Sequence, residues 1–334
     1  MEREPAIRRL TIRNLLSFGE EDTTIDLQNL NVLIGANGSG KSNLIEVIGL
    51  LQNAPKELAT AINNGGPVDE WLWKGAAKTP TASIEAIVTE TRGPIGLRYF
   101  LAFTKVGFRF EITAEAVQKE LSEAGQLRPF FYYRREDGRA YLTSIGAASV
   151  IEQKDINPQL SILAERKDPE HYPEITDLGG MFGRIQLYRD WEFGTLATVR
   201  EPCDVSLQSD YLEEDGSNLG VVLSRLLGRP PVKDQIIELL QTFYENTKDL
   251  RTTIEGGRMQ TRLEEKGLNT TIPLIPMSDG TSGGLRYLLY SLSPTHRRWC
   301  FWPIKRHCKS ITVRASKKKA CPVIRISRRF LRTT

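Results

Sequence analysis

Cysteine and histidine are scarce in this chain, with 4 and 3 among 334 residues. Four cysteines at this length make no disulfide framework, which points to a reducing compartment. A zinc site would have to draw on His296, Cys300, His307, Cys308 and Cys321, whose spacings match no paired-ligand pattern. Long apolar runs are also missing, and none approaches the length that spans a bilayer. Met1-Glu2-Arg3-Glu4-Pro5 is not the opening of a signal peptide, so a cytoplasmic location with no membrane partner is expected. The sharpest absence is local: no Asp or Glu follows Asp279.

That last absence makes the net charge of +4 misleading. Residues 296–334 hold 13 of the 45 Lys and Arg, leaving 32 against all 41 acidic residues in 1–295, a net of −9 there. Otherwise the composition, 40% hydrophobic and 26% charged, is that of an ordinary globular protein large enough for two lobes.

What is present is most specific at Gly35-Ala36-Asn37-Gly38-Ser39-Gly40-Lys41-Ser42, a complete G-x-x-x-x-G-K-[ST] phosphate-binding loop. Leu30–Ile34 before it reads as a short buried strand. Ser42–Leu51 after it reads as a helix with Leu44, Ile45, Val47, Ile48 and Leu51 apolar. The glycines let backbone N–H groups curl around phosphates at a helix N-terminus whose dipole favours anions. Lys41 is placed to reach the terminal phosphates, and the Ser42 hydroxyl to hold Mg²⁺ on a bound ATP.

Around this loop, Ile7–Phe18 reads as an opening strand and turn, with Thr24–Leu27 as its antiparallel partner. Trp71 and Trp73 read as packing residues rather than a base-stacking platform. From Thr81 to Leu142 the pattern is strand-like, with Phe108–Ile112 alternating cleanly and a hairpin at Glu136-Asp137-Gly138. The polar stretch Arg166–Pro173 is a plausible boundary. Beyond it the reading is helical: Ser217 caps 218–227, which stops at Gly228, and Val232–Asn246 carries Ile236, Leu239, Leu240 and Phe243 on one face.

A second anion cradle is suggested by Ser278-Asp279-Gly280-Thr281 ahead of a helix with Leu285, Leu288, Leu289 and Leu292 on one stripe. Alone it reads as a plain Ser/Asp N-cap; beside the phosphate loop it gains a functional reading. With Ile12-Arg13-Asn14, the loop variant running through Asn43 to Glu46, and Asp215–Leu219, these motifs occur in an order that resembles the RecF/SMC-type ATPases of the ABC superclass. The likeness is to the small RecF-like or AAA-family ATPases and covers roughly residues 7 to 292.

The resemblance implies an α/β P-loop NTPase of ABC/SMC type, with a β-rich first lobe carrying the P-loop and a helical second lobe carrying the signature motif. Lobes at 1–165 and 166–295 are expected, followed by an aberrant basic tail at 296–334. It implies an ATP-dependent homodimer in which Ser278, Asp279, Gly280 and Thr281 close over nucleotide on the other subunit's residues 35–43. DNA is a partner by resemblance only, in repair, chromosome maintenance or anti-phage defence.

The chain departs from the family pattern twice. Ser282-Gly283-Gly284 is inserted where the family runs straight into Leu-Arg-Tyr. The strand ending in Asp-Glu, which supports Mg²⁺ and orients the attacking water, has no counterpart after Asp279, nor has the switch His that follows it. Ala86–Glu90 ends on an acid but precedes the signature, the wrong chain order.

Reverse translation of His296–Trp302, read from the third base, allows Pro-Pro-Leu-Val-Phe-Leu, as the family has on entering that strand, though the shifted frame does not run on into Asp-Glu. A frameshift near Ser293–His296 accounts for the tail. The alternative is a basic nucleic-acid arm built on Lys317-Lys318-Lys319, Arg325, Arg328, Arg329 and Arg332. Three functional readings stand: a DNA-linked ATPase, a nucleotide binder without hydrolysis, and a basic-tailed nucleic-acid module.

Overall fold

The computed structural model describes residues 5–29, 31–89, 95–122, 129–143, 150–153, 156–188, 201–242 and 244–273, and short strands at 300–301 and 323–325. Leu30, Phe243 and the signature segment 278–292 lie outside the described residues. The chain divides into two compact units, Met1–Ile185 with Ser310–Thr334, and Gln186–Lys309.

The first unit is built on an eight-stranded sheet. Its strands are β1 (Ile7–Arg13), β2 (Thr23–Asp26), β4 (Ala82–Val88), β5 (Leu97–Val106), β6 (Arg109–Lys119), β7 (Phe131–Glu136), β8 (Arg139–Thr143) and β9 (Val150–Gln153). They lie in the order β2-β1-β4-β5-β6-β7-β8-β9, antiparallel throughout. Alternation sets the buried face: Ala82, Ile84 and Ala86 on β4 lie beside Leu97, Tyr99, Leu101 and Phe103 on β5, all buried. The hairpin expected at Glu136 forms with Asp137 and Gly138 both at positive φ, the two-residue turn whose twist matches its strands.

Three helices follow the phosphate loop, α1 (Lys41–Asn53), α2 (Leu58–Asn64) and α3 (Val68–Trp71); α4 (Ile162–Glu165) and α5 (Pro173–Gly183) close the unit. On α1 the stripe Leu44, Val47, Ile48 and Leu51 is buried. The helix packs against α2 and α5, and Gln52 donates to the Ile185 carbonyl at 2.7 Å. Trp71 is buried, with its indole N–H donated to the Ile62 carbonyl at 2.9 Å, as a packing residue should be.

Strand β3 (Val32–Ile34) corrects the expectation of a buried strand. It lies outside the large sheet and pairs, among the described residues, with β16 (Val323–Arg325) in parallel. With one such neighbour its flanks stay open: Val32 and Leu33 are half-buried and Ile34 is 53% exposed.

One ionisable group sits at the centre of the first unit. Glu115 on β6 is fully buried. It accepts hydrogen bonds from the Tyr99 hydroxyl at 2.8 Å, the Ser161 hydroxyl at 2.5 Å and the Ile162 N–H at 3.0 Å. Ser161 caps α4 in turn, accepting from the Leu163 N–H. A buried carboxylate is tolerated only when its oxygens are met in this way.

In the second unit, α6 (Leu219–Leu227) and α7 (Pro230–Gln241) pack against a long hairpin of β12 (Thr247–Glu255) and β13 (Arg258–Glu265). Leu223, Leu226, Ile236, Leu240, Leu250 and Leu263 form its core. The hairpin adds sheet to a region that reads as helical in sequence. Its turn is Gly256-Gly257, both at positive φ. Short strands β10 (Gln186–Leu187) and β15 (Cys300–Phe301) pair in parallel, while β11 (Cys203–Asp204) and β14 (Ile272–Pro273) add to β13.

The Asp215–Leu219 motif acts structurally here. Asn218, rather than Ser217, stands at the helix start, fully buried, donating to the Gln208 and Tyr211 carbonyls and accepting from the Glu213 N–H. It staples the preceding loop to α6 instead of capping the helix with its side chain.

Burial raises the Glu115 carboxyl above its ordinary value of 4.5, while the bonds from Ser161, Ile162 and Tyr99 and the charge of Arg135 pull it back. A carboxyl held high in the folded state keeps its proton where the unfolded chain has lost it. Its contribution is therefore fullest below pH 4.5 and is lost as pH rises through the folded-state value. Urea unfolding of the native chain and of Glu115→Gln across pH 4 to 8 should show the stability difference between them moving against the native chain as pH rises. Glu115→Ala, which strands three donors, should cost about 3 kcal/mol at neutral pH.

Candidate functional site: the glycine-rich loop before α1

The site is a turn followed by a helix start. Gly38 (φ 76) and Gly40 (φ 87) both take the left-handed conformation that side chains resist, so these two positions need glycine. Between them Ser39 is buried, its N–H donated to the Ala36 carbonyl at 3.2 Å. Gly35, Ala36, Asn37 and Gly38 are exposed, Lys41 and Asn43 are half-buried, and Ser42 is exposed.

The amides of the first helical turn have no partner within the helix. The first helical bond is Leu44 N–H to the Gly40 carbonyl at 3.0 Å, so the N–H groups of Lys41, Ser42 and Asn43 precede the ladder. Oriented amides and the positive end of the helix dipole make an anion site.

The Lys41 ammonium lies over the loop. It donates to the Gly35 carbonyl at 2.7 Å, the Ala36 carbonyl at 2.8 Å and the Ser39 hydroxyl at 3.3 Å. Among the described residues no carboxylate pairs with it. Neutral oxygens hold the cation in place without cancelling its charge, which therefore remains available to an incoming phosphate.

The structure brings together the predicted residues 35–43, and Ser278, Asp279, Gly280 and Thr281 lie outside the described residues. It also adds a residue that the motif does not name. The Asn43 amide donates to the Ser17 hydroxyl at 2.7 Å, tying the helix start to the turn after β1. No short-range signal marks Ser17, which is 26 residues away in sequence.

A glycine turn, a lysine folded over it and a helix opening on free amides define a P-loop nucleotide-binding site. Residues 30–282 match a family described as "AAA domain, putative AbiEii toxin, Type IV TA system". The match takes in about three quarters of the chain, and the chain belongs to that family.

Solved structures to which the chain is similar include an Smc head bound to the C-winged helix domain of ScpA (14% identity, TM-score 0.44, 87% of this chain and 78% of that one). Another is the Pyrococcus furiosus Smc head with an extended coiled coil bound to the C-terminal domain of ScpA (13%, 0.41, 87% and 80%). A third comes from work on ATP-driven dimerization and DNA stimulated activation of SMC ATPases (21%, 0.23, 32% and 72%). The assignment rests on the family match rather than on these distant likenesses. No curated protein matches the chain.

Lys41→Ala removes the unneutralised cation without touching the buried stripe of α1. Calorimetric titration with ATP should show affinity reduced about a hundredfold, the loss of one strong charge-assisted bond. The melting temperature should stay within a few degrees of the native chain.

Proposed function

We propose that this chain binds ATP together with Mg²⁺ on the loop 35–43, and that nucleotide binding is the activity this polypeptide retains. The observation that carries the reading is the Lys41 ammonium, held by the Gly35 and Ala36 carbonyls beside the unbonded amides of α1. In this reading Lys41 contacts the terminal phosphates, the amides of residues 41–43 face them, and the exposed Ser42 hydroxyl is available to the cation. The donor set fits Mg²⁺, a hard ion that takes oxygen ligands and shares them with phosphate. When bound, the ion neutralises charge on the phosphates.

Hydrolysis is a separate matter. The family pattern needs an Asp-Glu pair after the signature, and residues 280–334 contain no acid. Turnover is therefore slow or nil in this polypeptide, in accord with an out-of-frame segment at 296–334 replacing the catalytic strand.

By the motif resemblance, the lobe at 166–295 presents Ser278, Asp279, Gly280 and Thr281 to nucleotide on a second copy, making an ATP-dependent cytoplasmic homodimer. The motif resemblance offers repair, chromosome maintenance and anti-phage defence as roles, and the family description adds a type IV toxin–antitoxin system. DNA as partner follows from the resemblance. No helix among the described residues is long and apolar enough to cross a membrane.

Light scattering after gel filtration, run with ATP·Mg²⁺, with ADP·Mg²⁺ and without nucleotide, tests both parts when joined to a phosphate-release assay. A dimer with ATP alone and negligible phosphate release is expected. Equal mass in all three conditions would remove the dimer. Steady release abolished by Lys41→Ala would overturn the claim of absent hydrolysis.

A further inference from the structure

The turn after β1 is strained in a way the phosphate loop does not require. Asn14 (φ 52) and Leu16 (φ 54) both adopt the left-handed region, a conformation that asparagine tolerates and that is an outlier for leucine. Such residues persist where their surroundings over-determine them, and they gather at functional sites. Here the determination is visible. The Leu16 N–H donates to the Trp71 carbonyl at 2.6 Å, the Trp73 N–H to the Asn14 carbonyl at 3.0 Å, and the Asn14 N–H to the Gly19 carbonyl at 2.8 Å. The Asn14 side-chain amide reaches the Thr81 carbonyl at 3.2 Å. Leu15 and Phe18 anchor the turn in the core, at 0% and 1% exposure.

What this rigid turn holds out is the Ser17 hydroxyl, and what it meets is the Asn43 amide at 2.7 Å. Asn43 is the third residue of α1, next to Ser42 and two beyond Lys41. Asparagine is a poor helix former because its side chain competes for backbone bonds. At this position its amide is committed instead to a hydroxyl on another element.

We propose that Asn43 is a positioning residue: clamped to Ser17, it fixes the rotation of the first turn of α1 and so aims the free amides of residues 41–43 at the phosphates. The inference rests on the nucleotide-binding reading above and gives Asn43 a role other than direct contact with the ligand. The physical reason is the steep distance dependence of amide–phosphate bonds. A helix that can swivel about its buried stripe presents those donors over a range of angles, whereas a helix pinned at its first turn presents them at one. The pin is strong because the turn that holds Ser17 cannot relax without breaking the bonds to Trp71, Trp73 and Thr81.

The test uses the full chain as Ser17→Ala, Asn43→Ala, the double variant and Ser17→Thr, each titrated with ATP·Mg²⁺ and with inorganic tripolyphosphate, then melted without ligand. Each alanine variant should lose about tenfold in affinity for both ligands, the double variant no more than either single, and Ser17→Thr should bind as the native chain does. Melting temperatures should change by a few degrees at most. Loss in Asn43→Ala with none in Ser17→Ala would overturn the clamp and assign Asn43 to the ligand. So would additive losses, or a loss for ATP that tripolyphosphate does not share. A native chain that binds neither ligand removes the nucleotide reading and the clamp with it. A native chain that binds both, with unchanged variants, removes the clamp alone.

Discussion

The first turn of α1 has amide groups that no helix can satisfy internally, and the first unit is arranged around where they point. Left-handed glycines at 38 and 40 turn the chain sharply enough to bring the loop over the helix start. The buried stripe Leu44, Val47, Ile48 and Leu51 sets which side of the helix turns to the core. At its far end Gln52 bonds the Ile185 carbonyl, and at its near end Asn43 bonds Ser17. Two polar contacts, one at each end, hold a helix whose hydrophobic contacts alone would leave it free to slide.

The Glu115 cluster does comparable work for the sheet. A carboxylate in the core is destabilising by itself, but the donors around it come from two other elements: Tyr99 from β5, Ser161 and Ile162 from the start of α4. Because α4 leads into α5, and α5 packs against α1, the sheet and the nucleotide helix share one chain of contacts. The Tyr99 and Phe182 rings, 5.4 Å apart and edge-to-face, close the same route through α5.

How much of this was legible in sequence depended on range. The phosphate loop and α1 were readable because both are local: a glycine spacing, a lysine and a helical stripe within Gly35–Leu51. The Asp137-Gly138 turn was readable for the same reason. The Gly256-Gly257 turn carries an equal hairpin signal, yet the helices on its N-terminal side draw the reading toward a helical lobe. The Ser17–Asn43 and Glu115–Ser161 bonds, 26 and 46 residues apart, were not readable, since a serine or a glutamate gives no sign of its partner. Strand β3 shows the converse. Its composition is that of a buried strand, but burial depends on neighbours, and among the described residues only Val323–Arg325 pairs with it.

Hydrogen exchange of the amides, followed by mass spectrometry with and without saturating ATP·Mg²⁺, tests most directly the claim that phosphates sit on the start of α1. Slowed exchange is predicted in peptides covering residues 35–44 and in those covering the turn 14–19, with little change across β5 and β6. Bound nucleotide with unaltered exchange at 35–44, or protection confined to residues 296–334, would contradict the account.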